Sequence, residues 1–257
     1  MINLNDSVYD YKDYSVYGDR DHPEFVVDDP EIESQLISYQ AFEKKLIENI
    51  VHHKKSIYLR FCDGEYIYYS NRFSIIRWLQ KILWRDSTCR WEKPDKSLLK
   101  RHFDAFEKNK EYTCFFPHVS KTHVKMFKDS KLRDYLKSND ILFGHFYYIY
   151  HFENKLRQAK IESLLWIKIA LVAHAWISIS WIDHIITEKT YTNNVSIFLQ
   201  KKDFSKYDLI LLGWGIAAPL YANDIAYTAQ CPIIDAGYMI NIRETTWNNE
   251  RWFSNKL

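Results

Sequence analysis

Glycine and proline are scarce: the 257-residue chain holds six of each. This excludes collagen-like and low-complexity chains, where those residues dominate. It also leaves no glycine- or proline-rich linker to divide the sequence. Cysteine is sparse too. Cys62, Cys89, Cys114 and Cys231 lie far apart with no paired spacing. That excludes a secreted disulfide framework and points to a reducing, cytoplasmic setting. No charge of one sign dominates, since 35 Lys and Arg face 33 Asp and Glu. Such a balance is not that of a dedicated nucleic-acid binder, and no nucleic-acid partner is expected. The first residues, Met1 to Asp6, are polar and acidic, unlike a signal peptide. One long apolar run exists, Leu164 to Ile182, but Lys168 and His174 interrupt it. There Ser178 and Ser180 alternate with Ile177 and Ile179. The run reads as a buried helix passing into a strand or second helix, not as a transmembrane segment. A peripheral membrane contact is the alternative.

Aromatic residues are abundant, with 19 Tyr and 9 Trp. They fit a cleft that stacks sugars or bases, and equally a thick core or an interface. The length suits one large domain with an extension. Residues 1–30, rich in Tyr and Asp without a clean period, read as an N-terminal arm. Residues 31–257 read as a single α/β domain. From Asp29-Pro30-Glu31 a helix is predicted, with Ile32, Leu36, Phe42, Leu46 and Ile50 on its apolar face. Further helices are expected over Ile75 to Trp84, from Pro94 through Phe106, and over Glu153 to Leu165. Short strands are expected at Tyr112 to Phe116, Asp140 to Phe143 and Val195 to Leu199. His145, Tyr147, Tyr148 and His151 follow one of these ends, where they either line a pocket or cap the sheet.

Two stretches carry chemistry. Ser56 to Phe61 is a predicted buried strand that ends in Cys62-Asp63-Gly64-Glu65. Gly64 permits a turn in which both carboxylates face one point, beside Arg60. Two carboxylates and an arginine at a strand end suit a divalent cation with a phosphate next to it. The same residues also suit an ordinary turn and a helix start. The second stretch is a βαβ unit. Asp208 to Leu212 is a continuous apolar strand, Gly213-Trp214-Gly215 turns it, and Ala217 to Ala229 is a small-residue helix. Pro232 to Ile234 is the next strand, followed by Asp235-Ala236-Gly237-Tyr238. If the strands are parallel, Arg60, Asp63, Glu65, Gly213, Gly215 and Asp235 share one sheet edge, where ligands of such folds bind. Gly213 and Gly215 also suit plain helix-on-sheet packing.

The string Leu59-Arg60-Phe61-Cys62-Asp63-Gly64-Glu65 resembles the Arg-aromatic-Gly-Asp-Gly-Glu signature of the GT-D fold glycosyltransferases, which carry a DxE motif. Leu211 to Gly215 and Ile234 to Tyr238 are also similar to the C-terminal half of that family. The resemblance implies a Rossmann-like, mostly parallel α/β sheet flanked by helices. It implies a nucleotide-sugar donor, UDP-linked, a glycan or glycoprotein acceptor, and a Mn²⁺ or Mg²⁺ ion. Asp63 and Glu65 match the DxE pair, as metal and donor-diphosphate ligands with a catalytic role, and Arg60 matches the family arginine. Gly213, Gly215 and Tyr238 fall on the donor side. Asp235 is the position-based candidate for a base in an inverting reaction, with Asp224 and Glu153 behind it. Cys62 stands in place of a glycine, Tyr238 in place of a histidine, and residues 143–192 do not match. Two other readings stay open: an S-adenosylmethionine- or nucleotide-dependent transferase, and a non-catalytic glycan-binding relative.

Overall fold

The computed structural model describes residues 37–61, 104–117, 147–161, 166–173, 179–187, 195–213 and 217–237. Its frame is one six-stranded sheet in which every pairing is parallel. The chain is therefore an α/β protein of the Rossmann-like kind. The strands are β1 (Ser56–Phe61), β2 (Thr113–Pro117), β3 (Ile169–Ala173), β4 (His184–Thr187), β5 (Leu209–Gly213) and β6 (Pro232–Asp235), in the spatial order β2-β1-β6-β5-β3-β4. Helices among the described residues include α1 (Tyr39–Val51), α2 (Tyr147–Ile161), α3 (Val195–Lys201) and α4 (Ala217–Ile225), and residues 104–108 are helical too. Residues 1–30, and the helix and strand expected at 75–84 and 140–143, lie outside the described residues.

Strands β1, β3, β5 and β6 are buried along their whole length. That is why they read as unbroken apolar runs: parallel strands covered on both faces have no solvent side to mark with polar residues. One face carries α1 and α2. There Phe42 is fully buried and meets the rings of Tyr58 at 5.5 Å and Phe116 at 5.0 Å, both edge-on. Tyr148 and Phe152 of α2 close the same cluster. Tyr148 is thus a core residue rather than a pocket wall. Alternation along β1 sends Phe61 to the opposite face, where Phe115 and Phe106 pack in a chain of rings. Helix α4 covers that face across β1, β5 and β6.

Three expectations change. The helix carrying Phe42, Leu46 and Ile50 begins at Tyr39, because Ser38 is extended (ψ 155°) and caps it by accepting from the Ala41 amide at 3.1 Å. A helix running unbroken from Pro30 is thereby excluded, although Phe42, Leu46 and Ile50 do form its buried face. Val195 to Leu199 is helical, not a strand. Its apolar residues are too few to fix a period, and Leu199 faces inward while Ile197 and Phe198 stay exposed. The apolar run from Leu164 holds strand β3 where a helix was expected. Among the described residues, no helix is long and apolar enough to cross a membrane.

Candidate functional site at the carboxyl edge of the sheet

All six strands point the same way, so their carboxyl ends form one edge. Arg60 lies at this end of β1, Asp235 at that of β6, Gly213 at that of β5 and Ala173 at that of β3. In the order β1-β6-β5-β3 these four positions are consecutive, spanning three inter-strand steps or about 14 Å. The chain leaving β3 goes outward to β4, whereas the chain leaving β5 goes inward to β6. Connections diverge between β3 and β5, and in open α/β sheets ligands bind at that kind of opening. The register pairs Ala173 with Gly213 there, so two of the smallest residues flank the opening. Space beside Gly213 is tight. A Cβ at that position would sit 3.3 Å from Leu171 Cδ1 and 3.6 Å from the Gly237 carbonyl oxygen.

Beside this opening, Arg60 and Asp235 form a buried pair. Arg60 is 6% exposed and Asp235 1%. Arg60 Nε donates to the Asp235 carbonyl oxygen at 2.6 Å, and Nη2 donates to Oδ1 at 3.3 Å. The Arg60 backbone amide reaches Oδ2 at 3.4 Å. Gly237 completes the arrangement: its amide donates to Asp235 Oδ1 and to the Leu212 carbonyl, both at 3.0 Å. Gly237 has φ +64°, and a Cβ there would overlap the Arg60 guanidinium. The turn after β6 therefore folds back directly beneath the arginine. Burial pushes the Asp235 carboxyl above the usual carboxylate range, while the Arg60 charge and hydrogen bonds and the Gly237 amide oppose it.

Sequence reasoning placed Arg60, Asp235 and Gly213 on one edge, and the structure puts them there. It did not anticipate that Arg60 and Asp235 bind each other, nor that Gly237 is the residue that lets them. No local signal joins side chains 175 positions apart. Asp63, Glu65, Gly215 and Tyr238 lie outside the described residues. Asp224 does not join the edge: α4 runs back across the sheet from β5, and Asp224 near its far end accepts from Gln200 Nε2 at 2.7 Å. Glu153 is buried within α2. Among the described residues no group of three or more His, Cys, Asp or Glu is arranged to hold a metal ion. Asp235 does not suit one, because both its oxygens already accept from Arg60 and one of them from Gly237. Comparison with protein-family models, curated proteins and solved structures finds no match.

Proposed function

We propose that the chain is a metal-dependent glycosyltransferase, moving a sugar from a nucleotide-sugar donor, UDP-linked, to a glycan or glycoprotein acceptor. The observation that carries the proposal is the shared edge. The strand leading to Asp63 and Glu65 ends two positions along the sheet from Gly213, at the opening between β5 and β3. In this reading the donor lies along that opening, with its diphosphate toward residues 63–65. Asp63 and Glu65 hold Mn²⁺ or Mg²⁺, which neutralises charge on the departing diphosphate. Arg60 and Asp235 act as positioning residues. They clamp the end of β1 to the end of β6, and so fix where the acidic turn leaves the sheet. Asp235 is buried and saturated by N–H donors, so an inverting reaction needs another carboxylate to take the acceptor proton.

The test is a thermal-shift screen of UDP-, GDP-, CMP- and dTDP-sugars and S-adenosylmethionine, each with Mn²⁺ and with EDTA. A nucleotide-sugar shift that needs Mn²⁺ and vanishes in Asp63→Ala and Glu65→Ala is the expected result. A shift with S-adenosylmethionine alone, indifferent to EDTA, overturns the reading in favour of a methyl-transfer class. Glycan binding without donor binding or donor hydrolysis points to a non-catalytic lectin-like role.

A further inference from the structure

The opposite edge of the sheet carries a second concavity. Where β1 and β2 begin and α1 ends, a cleft of about 400 Å³ opens, in the size range of small-molecule sites. Three lysines line it, Lys45 from α1 and Lys54 and Lys55 from the turn into β1, against a single carboxylate, Glu111. Lys45 acts on the cleft floor, since its charge draws the buried Cys114 thiol down against the stronger upward push of burial. Asn49 and Tyr112 add an amide and a half-exposed phenol to the walls.

One buried hydroxyl in this cleft lacks a well-formed hydrogen bond. Ser56 is 3% exposed, and its hydroxyl makes no hydrogen bond of good geometry. It lies close enough to Tyr58 to favour the phenolate, but burial prevails and pushes the Tyr58 phenol up to about 12. The Tyr58 hydroxyl accepts instead from Asn49 Nδ2 at 3.1 Å. A buried hydroxyl without a partner costs stability unless something completes it. A cleft that is cationic, polar-floored and open to solvent supplies the place for an anion to do so.

We propose that this amino-edge cleft binds a phosphate-bearing small molecule, with Lys45, Lys54 and Lys55 neutralising its charge and the Ser56 hydroxyl donating to a phosphate oxygen. Lysine ammonium groups serve phosphates as mobile point charges, and three around one anion favour a di-anion or higher over a carboxylate. The cleft lies across the sheet from Gly213 and Asp235, so an occupant there is an effector or a second ligand rather than the donor of the carboxyl edge.

The test is isothermal titration of the full chain with inorganic pyrophosphate, in low-salt buffer free of phosphate and containing EDTA. EDTA removes any contribution from a metal at residues 63 and 65, so the outcome is independent of the glycosyltransferase reading. Saturable one-to-one binding is expected. Lys54→Gln/Lys55→Gln should weaken it at least about tenfold, equivalent to about 1.4 kcal/mol. Lys201→Gln/Lys202→Gln, at the end of α3 on the other face, should leave it unchanged. Ser56→Ala should melt at or above the parent without anion, yet lose most of the rise in melting temperature that pyrophosphate gives the parent. Absent saturable binding, equal loss in both lysine pairs, or parent-like binding by Ser56→Ala each overturns the proposal.

Discussion

Replacing Gly237 with alanine isolates the contact that closes the carboxyl edge. Two costs and one gain are expected. At φ +64° an alanine pays about 1–2 kcal/mol for the left-handed backbone. The same change restricts the unfolded chain, which returns about 0.4–1 kcal/mol. Backbone effects alone thus come to about 1 kcal/mol. The larger cost is steric. The new methyl overlaps the Arg60 guanidinium, which is itself buried. Forcing it off Asp235 disrupts a buried ion pair, and full loss of such a pair costs about 3–5 kcal/mol. A total of about 3–5 kcal/mol is expected, since Arg60 can retain part of its bonding. For a chain of this size that lowers the melting temperature by roughly 6–20 °C. Urea denaturation followed by circular dichroism measures it. The decisive comparison is a cycle with Arg60→Ala. With the guanidinium gone the methyl has room, so in that background Gly237→Ala should cost only the backbone term. A coupling of about 2 kcal/mol or more between the two sites is expected. Strict additivity would refute the claim that Gly237 exists for Arg60.

Other outcomes follow from the same geometry. Phe42→Ala empties the centre of the ring cluster under α1 and should cost about 3–5 kcal/mol in denaturant unfolding. Burial works against the Asp183 carboxylate, but the Ile169 amide at 2.8 Å and the Lys160 ammonium hold it below the usual range. Its folded pKa is depressed, so its stabilisation is complete above the unfolded value near 4 and is lost as pH falls through the folded one. Asp183→Asn should therefore flatten the acid limb of the stability curve below about pH 4, measured by urea midpoints across pH. Burial pushes the Cys231 thiol up to about 12 and Cys114 upward as well. Mass spectrometry after brief native alkylation at pH 8 should find both unmodified, and modified once urea is added.

The parts of the fold that could be read ahead are those with a long, one-sided signal. β5, α4 and β6 follow one another as apolar run, small-residue helix and apolar run, and each formed within a few residues of its expected bounds. β1 was legible for the same reason. β3 was not, because its five apolar residues sit inside a longer apolar run in which strand and helix look alike. α3 failed oppositely, through having too little pattern to show a period. The spatial order of the strands leaves no local mark at all. Within the site, a strand end is visible in sequence, but which side chain it meets depends on that hidden order. Arg60 and Asp235 looked like two independent functional groups because their adjacency is created only when β6 enters beside β1.

That insertion also shapes how the chain must fold. β6 is made after the other five strands, yet it lies between β1 and β5 and is hydrogen-bonded to both. Until residues 232–235 leave the ribosome, β2-β1 and β5-β3-β4 are two separate ribbons. Each presents a bare, apolar inner edge of the kind that recruits foreign strands. Joining them through the β1–β6 pairing closes a loop of well over 150 residues, a long-range contact of the kind that slows folding. Before β6 is added, those two inner edges are where edge-to-edge pairing with other chains is favoured. The β6 segment is the strand that joins the two ribbons into one sheet, by pairing with β1 on one side and β5 on the other.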